Sequence, residues 1–374
     1  RMNAARALAL LLTVLVTWLP AAEWKLALPG YRYTFPYDHF AHPLFRTEWW
    51  YFTGNVTSTD GRDFGYELTF FRHGRHPQPE RASGVWDSGE LYLAHLALTD
   101  IGAQHFRHGE RLNRAGPGLA GADREARRIW NGNWSVRLTG SGNWELQAVH
   151  PDFTLHLHLV SEKEPVLHGE NGIHRKAAGV GKASHYISLT RLRTSGELVL
   201  EGKRFAVNGS SWMDHEFFTH SMSEEQTGWD WFSIQLSDET ELMLYRLRNR
   251  DGGIDPFSGG TFVSRNGSAT PLRLEDISFR ATATWKSPES GAVYPVSWEI
   301  AIPRLGLSLS AQPRMQAQEL RSERRIGPSY WEGAMRFSGS RDGKPVTGVG
   351  YLELTGYADE VDLSGRAGRG GMTR

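Results

Sequence analysis

Apolar and polar side chains alternate with period two in short runs along most of the chain, as half-buried antiparallel strands require. Thr154–Val160 is the plainest case, with Leu155, Leu157 and Leu159 separated by His156 and His158. Comparable runs, rich in Trp, Tyr, Phe, Val and Thr, are Trp49–Val56, Phe64–Phe71, Leu91–Leu98, Trp134–Leu138, Tyr186–Leu192, Trp229–Leu236, Glu241–Arg248, Val296–Ile302, Gly333–Ser338 and Gly348–Thr355. Gly, Pro and Asp-Gly steps punctuate them. Ala122–Ile129 is the stretch that predicts a helical turn, and it is mostly charged. Strand runs at near-regular spacing predict an all-β chain built as sandwiches or barrels, not as βαβ units.

The pattern also repeats. Thr47-Glu48-Trp49-Trp50-Tyr51-Phe52-Thr53 aligns with Thr227-Gly228-Trp229-Asp230-Trp231-Phe232-Ser233, and each is followed by an Asp-containing turn and a second aromatic strand ending in arginine. A repeat this long fits duplication of a whole domain better than a solenoid. The expected division is an N-terminal domain 23–204 and a C-terminal domain 205–364, with the boundary near Glu201–Asn208.

The two ends read differently. In residues 1–22, Arg1 and Arg6 precede an apolar run from Ala7 to Leu19, and the small Ala21 and Ala22 follow, which is the layout of a secretory signal peptide. The run is short for a bilayer span. The expected location is the periplasm or the exterior, with an uncleaved membrane anchor as the alternative. Gly365–Arg374 is glycine-rich and basic and predicts a disordered tail. A length of 374 residues suits two domains. Lys+Arg and Asp+Glu both number 42, so there is no basic excess to hold a nucleic acid. The absence of Cys excludes disulfides, thiolate zinc sites and cysteine catalysis.

Familiar loop motifs fail. Gly179-Val180-Gly181-Lys182-Ala183-Ser184 lacks phosphate-loop spacing, because Lys176 and Ala183 stand where a Gly and a Ser or Thr are needed. No G-x-S-x-G elbow occurs. His156 and His158 share a strand face, and His39/His42 and His73/His76 are three apart, but none gains a third ligand at metal spacing. Neither a metal nor a cofactor is expected.

Carboxylates set among aromatic residues are more informative. Glu48 precedes Trp49, Trp50 and Tyr51; Trp212, Asp214 and Glu216 share a face if extended; Asp230 lies between Trp229 and Trp231; Glu332 shares a face with Tyr330; Glu353 shares one with Tyr351 and Tyr357. A carboxyl desolvated against indole rings keeps its proton to higher pH and becomes a general acid. The alternative is that arginines such as Arg46, Arg72, Arg246 and Arg248 pair with these groups and staple strands together. As a set, they predict a shared aromatic and acidic cavity. Such a cavity suits an extended hydrophobic ligand. A positioned acid would protonate an alkene, ring faces would hold the carbocation, and water would attack. Without that acid the same walls make a lipid carrier.

The runs FPYDHFAHPLFRTEWWYFTG (35–54), GKASHYISLTRL (181–192), WMDHEFF (212–218), GWDWFSIQL (228–236), YWEG (330–333) and GYLELTGY (350–357) resemble the AttH-like family, related to the bacterial carotenoid 1,2-hydratases (hydroxyneurosporene synthases). The resemblance spans Phe35 to Tyr357. It implies two lipocalin-like (calycin) antiparallel β-barrels packed together, with a hydrophobic ligand site in or between them. It also implies an association of exported relatives with ABC-type transport components. Asp214, Glu216, Asp230 and Glu332 occupy family motif positions. The expectation is a hydro-lyase acting on an isoprenoid or other lipid, with Glu332 or Asp214 as proton donor and Trp50, Trp229, Trp231 and Tyr330 as cavity wall. Glu48, Trp212, Tyr351 and Glu353 complete the expected ligand site.

Overall fold

A computed structural model describes residues 23–77, 89–322 and 327–361, so the expected signal peptide (1–22) and tail (365–374) lie outside the described residues. Period-two strands must bury one face, and the chain does so by curling two antiparallel sheets, each around its own apolar interior. The first sheet runs, in spatial order, His105–Arg114, Glu90–Asp100, Asp63–Gly74, Thr47–Ser58, Lys203–Phe218, Ala183–Leu200, Phe153–Ser161, Trp144–Val149, Trp134–Leu138, Arg128–Asn131 and Ala120–Asp123. Val166–Leu167 and Ile173–Arg175 add to Ala183–Leu200. The sheet closes on itself where Asn113 Nδ2, on the edge strand His105–Arg114, donates to Asn131 Oδ1 (2.6 Å), and Arg111 to the carbonyls of Asn131 and Val149.

The second sheet runs Ala269–Arg273, Gly259–Val263, Glu241–Asn249, Gln226–Leu236, Lys344–Leu354, Tyr330–Arg341, Leu307–Pro313, Val293–Ile302 and Ser278–Lys286, and Glu319–Leu320 pairs with Tyr330–Arg341. Its order follows that of the first nine strands of the first sheet, with Gln226–Leu236 in the place of Thr47–Ser58 and with no counterpart of Arg128–Asn131 and Ala120–Asp123. The aligned aromatic segments therefore hold the same position in the two barrels. Each interior is filled from one face of its strands. Trp50, Phe52, Leu68, Phe70, Leu96, Trp144 and Leu157 fill the first, and Phe232, Ile234, Leu244, Trp298, Ile300, Phe337 and Leu352 the second. A third cluster (Tyr51, Tyr186, Trp212, Trp231, Met243, Ala334 and Tyr351) lies between the barrels. The approach there is close: a Cβ on Gly65 would sit 2.6 Å from both Ala334 Cβ and Tyr351 Oη.

Two expectations are corrected. Ala122–Ile129 is no helix; it joins the strands Ala120–Asp123 and Arg128–Asn131 in a hairpin whose turn takes the charged residues. The division at 204/205 would cut the strand Lys203–Phe218, which pairs with both Thr47–Ser58 and Ala183–Leu200 and belongs to the first barrel. The second sheet begins at Gln226. The first half of Lys203–Phe218 is polar and partly exposed, and so reads as a linker.

Candidate active site

Strict alternation along Thr47–Ser58 turns Glu48, Trp50 and Phe52 into the first barrel and Trp49 and Tyr51 out of it. Register extends the outward face across the sheet. Leu112, Leu93, Phe71, Trp49, Glu216 and Tyr186 are successive cross-strand partners, and His95, Thr69, Tyr51, Asp214 and Ser188 form the next row. The equivalent face of the second barrel presents Tyr245, Trp231, Glu353 and Glu332 as one row. Between these faces lies a cavity of about 410 Å³ whose lining includes Trp49, Tyr51, Tyr186, Asp214, Glu216, Trp229, Trp231, Tyr330 and Glu353. The size suits a small-molecule site.

The acids on and behind this wall are held in unlike states. Asp214 Oδ1 accepts from Trp212 Nε1 at 2.6 Å and from Ser188 Oγ, and Oδ2 accepts from Tyr186 Oη, which itself accepts from Trp231 Nε1 at 2.9 Å. Burial pushes Asp214 up to about 7 even against these donors. Glu353 Oε2 accepts from Trp229 Nε1 at 2.8 Å, and burial, reinforced by Glu67, Asp214 and Glu216, pushes its carboxyl up to about 8. Glu332 faces Glu353 directly across adjacent strands; burial, and then the charges of Glu67 and Glu353, hold it well above the carboxylate range. Its Oε1 accepts from Tyr51 Oη, so Glu332 stands behind Tyr51 and not on the cavity wall. Glu216 differs, with Lys176 Nζ 2.6 Å from Oε2 and Ser184 Oγ donating to the same oxygen.

The AttH-like family profile matches residues 26–357. This chain belongs to the AttH-like family. A crystal structure of a protein from Nitrosomonas europaea described as an AttH is 33% identical, with 88% of this chain and 98% of that one covered at a TM-score of 0.79. Kievitone hydratase from Nectria haematococca is 16% identical, with 91% and 98% covered at a TM-score of 0.67, a likeness of fold. No curated protein shows significant similarity to the chain.

Among the motif carboxylates of this AttH-like chain, two lie away from the cavity. Asp230 points into the second barrel, where Arg246 Nη1 (2.9 Å), Arg248 Nη1 (2.6 Å) and Tyr357 Oη (2.9 Å) bind it. Glu48 points into the first barrel, bound by Arg72 Nε at 3.0 Å, His42 Nδ1 at 2.7 Å and His215 Nε2 at 2.8 Å. Trp50 stacks on His215 inside that barrel and is no cavity wall. For these acids the arginine-staple alternative holds, because alternation turns their side chains inward. Trp212 and Tyr351 are buried in the cluster between the barrels, with Trp212 steadying Asp214.

His42, Glu48 and His215 also bring three potential metal donors within 4.8 Å of one another. Hydrogen bonds already engage those atoms, and Asp38 Oδ1 takes the other ring nitrogen of His42 at 3.0 Å. Burial alone would lower His42, but Glu48 and Asp38 outweigh it and raise the imidazole. The fold thus brings His42 the further donors that its spacing from His39 did not show.

Sequence reasoning missed several groups. Glu67, pushed up to about 7 by burial, accepts from Thr69 Oγ1 at 2.6 Å, and Tyr330 Oη lies 2.7 Å from His95 Nδ1. His174, Lys176 and Tyr186 line the cavity from the first barrel. Glu67 carried the same signal as the acids that were found, a lone carboxylate in an aromatic strand (Phe64–Phe71).

Proposed function

We propose that the protein binds an extended hydrophobic molecule between its barrels and hydrates one of its carbon–carbon double bonds by general-acid catalysis. The observation that carries this reading is the pairing of a carboxyl held neutral near pH 7, Glu353, with an indole-lined cavity. Trp229 occupies Oε2, which leaves Oε1 to carry the proton. Transfer of that proton to one alkene carbon forms a C–H bond and leaves a cation on its neighbour, against the faces of Trp229 and Trp231. Water then attacks the cation and gives a proton to Asp214, whose three protein donors leave it one acceptor position. Exchange with water returns Asp214 and Glu353 to their starting states. Glu332, through Tyr51, holds the acid side of the site and does not donate directly.

The hydratase activity of the fold relative from Nectria haematococca is consistent with this chemistry. Export belongs to the same proposal, and a fusion of residues 1–22 to a periplasm-dependent reporter tests it. The catalytic test uses the protein's own ligand. Protein from its native host is incubated in oxygen-18 water and the bound lipid analysed by mass spectrometry. One added labelled water per molecule is expected. Glu353→Gln should reduce labelling by about 10²–10⁴ while the lipid stays bound. Bound lipid without label, in wild type as in variant, would replace the hydratase with a carrier.

A further inference from the structure

The cavity is not uniform along its length. The cross-strand row from Leu112 to Tyr186 crosses six strands, roughly 24 Å at ordinary strand spacing. Leu112, Leu93 and Phe71 make one end mainly apolar, with His95 beside it, whose Nδ1 meets Tyr330 Oη and whose Nε2 has no partner among the described residues. At the other end lie His174, Lys176, Glu216 and Ser221. These are tied together locally: Gln226 Nε2 donates to the Lys176 carbonyl (2.7 Å), and the His174 ring stands 5.2 Å from Tyr186 and 4.6 Å from Tyr245.

Two polar atoms at this end lack partners among the described residues. Ser221 Oγ and His174 Nδ1 are both buried with no hydrogen bond there, in residues 3% and 5% exposed. Buried polar atoms of this kind cost stability unless something pairs with them. The nearby charge is already balanced, because Glu216 takes the Lys176 ammonium with both oxygens, at 2.6 and 3.0 Å. A carboxylate or phosphate arriving here would find no free cation among the described residues and would face Glu216 and Asp214. A pure hydrocarbon would leave Ser221 and His174 unpaired.

Building on the proposed hydratase site, we propose that its substrate is an amphiphile with a neutral oxygen-bearing head, a hydroxyl or carbonyl. The head lies against Ser221 and His174, and the unsaturated chain runs past Trp49 and Glu353 toward Leu93 and Leu112. This orientation also sets which double bond meets Glu353, so the head decides regiochemistry.

Three fifteen-carbon isoprenoids that differ only in the head test it: farnesol, farnesene and farnesoic acid. Binding is read by quenching of tryptophan fluorescence, since Trp49, Trp229 and Trp231 line the cavity. Farnesol is expected to bind about tenfold or more tightly than the other two. Ser221→Ala and His174→Phe should each erase that preference while farnesene binding is retained, and melting curves of both variants check that they fold. Equal binding of all three, or preference for the acid, overturns the neutral head and leaves the hydratase reading standing. A farnesol preference that survives both variants overturns the assignment of the head site. Silence toward all three overturns this proposal together with the hydrophobic-ligand reading.

Discussion

Glu353 and Asp214 differ because their environments differ. Burial raises both carboxyls, but Glu353 takes one indole donor and feels the charges of Glu67, Asp214 and Glu216, whereas Asp214 takes three donors that favour the charged form. One acid therefore keeps its proton to about 8 and the other loses it near 7. If Glu353 must be protonated and Asp214 ionised, kcat/KM should fall as pH rises through about 8 and as it drops through about 7, giving a narrow bell. A flat profile across this range would rule out the pair. The same shifts bear on stability. Carboxyls that titrate near 4 when exposed are raised in the fold, so the native state holds protons that the unfolded chain releases. Below about pH 6.5 the buried histidines, lowered by desolvation, oppose this trend, so the resulting decline in stability should show between about pH 6.5 and about pH 8. Glu353→Gln should flatten part of that decline in melting temperatures measured across the range.

Strands carry the distinction between acids that face the cavity and acids that staple a barrel interior. In Thr47–Ser58 one residue of offset separates Trp50 in a barrel interior from Tyr51 at the cavity, and in Gln226–Leu236 it separates Asp230 from Trp229 and Trp231. The predicted strand runs are all present, since period two is written into Trp134–Leu138 or Thr154–Val160 without reference to neighbours. What the pattern lacks is an absolute face. In a chain whose interiors and inter-barrel seam are both aromatic, burial of Glu48 and of Glu353 looks the same in sequence, and only register and packing tell them apart. The long strand Lys203–Phe218 escaped for a related reason: its exposed first half carries Lys203, Arg204 and Asn208. Asp230→Ala tests the division of roles. It strands Arg246 and Arg248 beside a desolvated ring, and should cost about 3–5 kcal/mol by urea unfolding. The pH limbs of kcat/KM should stay where they are; a moved limb would return Asp230 to the chemistry.

The groups that line the cavity belong to neither barrel alone. The two barrels set equivalent outward faces against each other, and the seam is fastened away from the cavity by polar groups buried in it. Gln235 Nε2 donates to the carbonyls of Thr190 and Ser211, both at 2.8 Å, His168 Nδ1 lies 2.8 Å from Thr261 Oγ1, and Arg314 pairs with Asp63. The strongest knot is Glu241 of the second barrel, whose carboxylate is 2.7 Å from Lys163 Nζ and 2.5 Å from Arg191 Nε of the first. Separating the barrels would open these groups together, so calorimetry should show one unfolding transition for the whole chain. Glu241→Ala leaves Lys163 and Arg191 with backbone carbonyl acceptors but no counter-charge in a closed seam, a loss on the order of 3 kcal/mol. Because the seam couples the barrels, that loss should lower the melting of both, or split the transition, and should weaken ligand binding although Glu241 does not line the cavity. An unchanged single transition with unchanged binding would mean that the cavity walls are aligned by the aromatic cluster around Tyr51 and Trp231 alone.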